Sequence, residues 1–231
     1  MAKTKRLQIL CLLGAVALLL SGCWTEAPVE SANGLLGDQE PADQQEEVIL
    51  PAAFTLPYDP DQTLDPVTCA DGMQQVAGSL IYEGLFRLDR QLEPQPWLCQ
   101  SYTYDAASLT YTFTLRSGVT FSDGSPLTAA DAAATLRRAK SSQRYSARLA
   151  HVAAVSAGDG VVIVTLSRPD SSLPALLDIP IVKSGTEESL TPVGTGPYKV
   201  VEYVPDQYVK MEANPDYFKG EPLIKNFIFK V

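Results

Sequence analysis

Histidine is the usual proton shuttle at neutral pH, and this chain of 231 residues has one, His151. It stands beside the apolar run starting at Val152, with no neighbouring serine, cysteine or acid motif. A Ser-His-Asp site would depend on it alone, so a structural or surface histidine is the better reading. Cys11, Cys23, Cys69 and Cys99 show none of the short CxxC or HxxxH spacings of a zinc site. Gly194-Thr195-Gly196 lacks the Gly-Lys-Ser/Thr of a phosphate loop and the third glycine of a dinucleotide fingerprint. Pro197 also removes an N–H that a phosphate cradle would use. A turn feeding the strand at Tyr198 is the better account. The acids are scattered, without a carboxylate pair for general acid–base work. No enzymatic activity, metal or cofactor is expected. The aromatics Tyr58, Tyr82, Trp97, Tyr102, Tyr104, Tyr198, Tyr203 and Tyr217 fit either a stacking ligand cleft or ordinary core packing.

Two cysteines, Cys69 and Cys99, fall outside the N-terminal apolar region. In an oxidising compartment two such thiols usually pair, which predicts a Cys69–Cys99 disulfide stabilising the fold by roughly 3–4 kcal/mol. The alternative is a pair of reduced, buried thiols acting as small hydrophobes.

The N-terminus sets the compartment. Lys3, Lys5 and Arg6 precede an uncharged apolar run, Leu7–Leu20, too short for a comfortable membrane span and right for a secretory signal. It ends in Leu20-Ser21-Gly22-Cys23, which resembles the lipobox of bacterial lipoproteins. That resemblance implies a signal peptide over 1–22 and a lipidated Cys23 anchoring the protein to the membrane outside the cytoplasm. Without the signal, 15 basic residues face 27 acidic ones, a net charge of −12. That balance argues against nucleic acid or an anionic membrane surface as partner of the folded part. Residues 23–48 are polar, acidic and without period, the composition of a disordered linker that would hold the domain on the order of 25 Å from its anchor.

Beyond the linker, secondary structure is written locally. Val48–Tyr58, broken by Pro51 and Pro57, suits an edge strand. Asp71 and Gln74 can cap a helix with Met73, Val76, Ala77, Leu80, Ile81 and Leu85 as its apolar face. Tyr111, Phe113 and Leu115 alternate with threonines, the period of a half-buried strand. Asp123-Gly124 then turns the chain, and Thr128 with Asp131 makes a capping box for an Ala-rich helix. Hairpins are expected for 152–156 with 161–166 about Gly158-Asp159-Gly160, and for 198–204 with 208–213 about Pro205-Asp206-Gln207. Leu173, Leu176 and Leu177 suggest a short helix, and the last eight residues run as a strand that stops mid-pattern, as in an incomplete chain.

The order of motifs says more than any one of them. Leu64-Asp65-Pro66, Tyr82-Glu83-Gly84-Leu85, Tyr111–Arg116, Phe121–Asp131, Gly194-Thr195-Gly196-Pro197-Tyr198 and Asn214-Pro215-Asp216-Tyr217 occur in series. Over about Ala52–Val231 this resembles the N-terminal half of the family 5 extracellular solute-binding proteins, the peptide- and nickel-binding components of ABC importers. The resemblance implies an α/β, periplasmic-binding-protein-like type II fold. Residues 49–231 would form its first lobe, a mixed sheet plus an inserted α/β subdomain at 84–183, with the second lobe absent. It implies a lipid-anchored, monomeric receptor that captures peptides for an ABC permease. A peptide sensor or interaction module, or a binder of nickel chelate, haem or sugar, is the alternative. Ligand backbone contacts carry over to Ala70, Asp71 and Gly72, where simple helix capping by Asp71 is the competing reading.

Overall fold

The computed structural model describes residues 53–60 and 63–231. The signal, Cys23 and the linker expected at the N-terminus lie outside the described residues. Along the chain come β1 (Phe54–Pro57), α1 (Gly72–Ile81), β2 (Phe86–Leu88), β3 (Pro94–Pro96), β4 (Cys99–Asp105) and β5 (Thr110–Leu115). Then follow α2 (Ala129–Ser141), β6 (Val152–Ala157), β7 (Val161–Leu166), α3 (Leu173–Leu176), β8 (Tyr198–Val204), β9 (Tyr208–Ala213) and β10 (Asn226–Lys230).

Two four-stranded sheets organise these elements. The first has the order β1-β10-β9-β8, with β1 parallel to β10 from Phe54↔Phe227 onward and the other pairs antiparallel. The second, β4-β5-β7-β6, is antiparallel throughout. The chain passes from the first sheet's neighbourhood to the second near Gly84 and comes back near Pro180, where these two residues form an isolated antiparallel bridge. The described residues make one compact unit around an apolar core.

Local chemistry explains most of this. In β5 the side chains of Tyr111, Phe113 and Leu115 are buried while Thr114 is exposed. Gly124 adopts φ +81°, the left-handed conformation its turn needs. The Thr128 hydroxyl accepts from the Asp131 amide, and the Asp131 carboxylate accepts from the Thr128 amide. This closes the expected capping box, and α2 lays its alanines and Leu136 against β6 and β7. Both hairpins form at the expected positions.

One expectation needs correction and one strand was missed. The apolar face assigned to α1 is only partly buried: Ala77 and Ile81 are inside, but Met73 is 37% and Val76 42% exposed. The helix packs on β8 through the Ala77–Gly78–Ile81 side and buries Gln74 instead, whose amide donates to the Asp59 carbonyl (2.6 Å). It ends at Ile81, so Leu85 joins the core from the bend that precedes β2. Strand β4 had no sequence signal. Its apolar face consists of tyrosines, Tyr102 and Tyr104, which cover Tyr111 and Phe113 on β5 while staying partly wet.

Candidate functional site: a braced loop and an aromatic cavity

The loop after β1 is held by one carboxylate. Asp65 is buried; its Oδ1 accepts from the Val67 amide (3.2 Å) and its Oδ2 from the Thr68 hydroxyl (2.8 Å). Its carbonyl accepts from the amides of Thr68 and Cys69. Arg138 on α2 reaches back 73 positions to donate to Asp65 Oδ2 (2.5 Å). Arg144 Nη1 donates to the Cys69 carbonyl (2.7 Å), and Tyr145 Oη to that of Pro66 (3.4 Å). A loop so braced presents its tip in a fixed conformation.

That tip is Ala70, Asp71 and Gly72. The Asp71 carboxylate caps α1, accepting from the amides of Met73 (2.8 Å) and Gln74 (2.9 Å). The capping reading is therefore correct for this side chain. The Ala70 carbonyl accepts from Gln75 Nε2. The backbone amides of Ala70, Asp71 and Gly72 have no hydrogen-bond partner among the described residues, and Ala70 and Gly72 are exposed. Three successive N–H groups at the positive end of a helix suit carbonyl or carboxylate oxygens of a ligand.

The expected disulfide does not form. Cys69 and Cys99 are free and buried, each tied to its own segment: Cys69 Sγ to the Asp71 carbonyl (3.6 Å), Cys99 Sγ to that of Ser101 (3.2 Å). One thiol sits in the loop before α1 and the other opens β4, and burial raises both thiol pKa values, that of Cys99 to about 11. The pair behaves as the alternative described, two small hydrophobes. His151 Nδ1 lies 2.8 Å from Asp170 Oδ2, but the Ser167 hydroxyl donates to the His151 carbonyl and Ser172 to Asp170. Neither serine is hydrogen-bonded to the imidazole. Gly194 and Gly196 press on the end of α1, where the Gly196 amide donates to the Ile81 carbonyl (2.8 Å). A Cβ on Gly194 would sit 2.0 Å from that oxygen. These glycines serve close packing, in agreement with the turn reading.

The aromatic residues sort into two groups. Tyr58, Tyr82 and Tyr198 are core, whereas Trp97 and Tyr217 line, with buried Tyr82 and Phe86, a cavity of about 480 Å³. Glu83, also lining it, is a residue whose importance the sequence hid. It is 8% exposed; Tyr217 Oη donates to its Oε1 (2.5 Å), and its Oε2 has no partner among the described residues. Burial raises the Glu83 pKa, while the Tyr217 hydroxyl, then the neighbouring Trp97 side chain, and the charges of Arg87 and Lys219 oppose that rise. An acid inside the apolar run Leu80–Phe86 was the one available signal.

Two sheets of this order, a helix rising from a braced loop and a segment that leaves and returns define one lobe of a type II periplasmic-binding-protein fold. The sequence profile of the bacterial extracellular solute-binding proteins, family 5, matches residues 93–231. The chain belongs to that family. It is 32% identical over 182 residues to the glutathione-binding protein GsiB of Escherichia coli (strain K12), covering 73% of this chain and 36% of that protein. Among solved structures it resembles MoaA from A. tumefaciens R10 in complex with mannopinic acid, with TM-score 0.69 and 28% identity. That likeness covers 77% of this chain and 40% of MoaA. It also resembles the oligopeptide-binding protein AppA of Bacillus subtilis in complex with a nonapeptide, with TM-score 0.67 and 26% identity over 78% of this chain and 40% of AppA. The chain thus spans about two fifths of the length of the relatives it matches. No helix among the described residues is long and apolar enough to cross a membrane.

Proposed function

We propose that this chain supplies one wall of an extracytoplasmic solute-binding protein that captures peptides for an ABC importer, tethered through a lipidated Cys23. The observation that carries the reading is the braced tip at Ala70–Gly72, with three unpartnered amides on an exposed edge. Peptide ligands offer backbone carbonyls to such groups whatever their side chains, which suits a receptor for mixed sequences. Similarity to a glutathione binder and an oligopeptide binder supports a peptide as ligand. Similarity to MoaA favours a second reading, a small organic acid, because one scaffold serves many ligands. A single lobe would hold either ligand weakly, since burying most of a ligand needs two walls. Calorimetry on a version extended to the length of the relatives, against defined pools of short peptides, tests the assignment. Saturable heat with peptides supports it, and no heat with any pool refutes it.

A further inference from the structure

The aromatic cavity is separate from the tip at Ala70–Gly72 and shares no lining residue with it. Its walls are Tyr82, Phe86, Trp97 and Tyr217, and at about 480 Å³ it lies within the size range of small-molecule sites. Its charges are unbalanced. Arg87 lines it and stands 5.2 Å from the centroid of the Trp97 ring; Lys219 Nζ lies 4.7 Å from that same ring. Neither cation makes an ion pair among the described residues. Facing these two positive groups is one buried acid, Glu83, already engaged by the Tyr217 hydroxyl. Asp178, which also lines the cavity, is paired with Arg148. Lys219 is not itself a lining residue, but with it beside Trp97 the two cations without an ion pair outnumber Glu83, on a chain that is otherwise strongly acidic.

This arrangement discriminates between ligand classes. An aromatic cage with a carboxylate suggests an ammonium group, but the Trp97 ring is already taken by the protein's own Arg87 and Lys219. Glu83 Oε2 is buried, and the carboxylate already has Tyr217, Trp97, Arg87 and Lys219 around it. The accessible unpaired groups are the guanidinium and the ammonium, which pair best with a carboxylate. We infer that this cavity is a binding site for an organic carboxylate with an aromatic or apolar body, its body against Tyr217 and its anionic end at Arg87 and Lys219. The inference does not rest on the peptide reading of the Ala70–Gly72 tip.

Fluorine NMR and tryptophan fluorescence on the full chain, with a Trp24→Phe version to isolate Trp97, provide the test, with three related probes: fluorophenylacetate, the neutral fluorophenylacetamide and the cationic fluorobenzylammonium. The carboxylate is expected to bind about tenfold or more tightly than the amide, as charge-assisted hydrogen bonding allows, and the ammonium not at all. Replacing both Arg87→Gln and Lys219→Gln, two exposed side chains, should weaken the carboxylate roughly tenfold with an unchanged melting curve. Glu83→Gln keeps an acceptor for Tyr217 and removes the competing negative charge, so carboxylate binding should persist or tighten. Tighter binding of the ammonium, loss of carboxylate binding in Glu83→Gln, full affinity in the double variant, or no binding of any probe would each overturn the inference.

Discussion

Gly72→Pro isolates the backbone chemistry assigned to the loop tip. Gly72 opens α1, a position where proline is favoured because its missing N–H has no partner in the helix. Asp71 sits at φ −75°, ψ 135°, the extended conformation that a residue preceding proline adopts. A Cβ built on Gly72 meets nothing within 4 Å, and the residue is exposed. The substitution thus deletes one amide hydrogen and no internal hydrogen bond. Restricting the unfolded chain should stabilise the fold by about 0.4–1 kcal/mol, raising the melting temperature by about 1–4 °C for a domain of this size. If that amide contacts ligand, the lost hydrogen bond costs about 0.5–1.5 kcal/mol, or roughly two- to twelvefold in Kd. Gly72→Ala retains the N–H and should bind as the parent does. Paired urea denaturation and calorimetry on the version extended to the relatives' length read both effects. Unchanged peptide affinity in the proline variant would refute a ligand role for this amide, and a destabilised fold would refute the cap geometry.

Three further outcomes follow from the same structure. Gly194→Ala would place a methyl 2.0 Å from the Ile81 carbonyl oxygen, backbone against backbone, and should cost about 3 kcal/mol or more in urea denaturation, in line with other overpacked sites; parental stability would show that this contact is not rigid. Asp123 is held down to about 2 by the hydrogen bond from Lys183 and then by Ser125, so its contribution is present above its ordinary value of 3.8 and lost as pH falls through about 2. Acid unfolding of Asp123→Asn should lack that part of the pH dependence between about 4 and 2, and superimposable acid curves would remove the ion pair from the account. Without reductant, Cys69 and Cys99 should resist alkylation in the native protein and both be alkylated once it is unfolded, as peptide mass mapping would show. A Cys69–Cys99 peptide pair in that map would restore the bridge.

What could be read from the sequence was whatever lies within a turn or two of chain. The capping box of α2, the Asp71 cap, the alternation of β5 and both hairpins each depend on residues a few positions apart, and each forms where its spacing says. The errors have a common cause, which is that burial depends on partners far along the chain. Met73 and Val76 have the spacing of a core face, yet α1 meets β8 on the other side and leaves both in solvent. Strand β4 hides because its inner face is tyrosine, which scores as half polar in any pattern. The loop bearing Ala70–Gly72 is legible as a loop, but its rigidity comes from Arg138, 73 residues away. Glu83 shows the limit most clearly. In the run Leu80–Phe86 it is a lone acid in an apolar stretch, which taken locally predicts exposure at a helix end. Only when Tyr217 arrives from 134 positions downstream does the carboxyl gain a donor that lets it stay buried. The same arrival brings Lys219 to the Trp97 ring that Arg87 also approaches, and joins three unrelated stretches around one cavity. The chemistry of that cavity is a property of the fold, since no two of its charged residues are neighbours in the sequence.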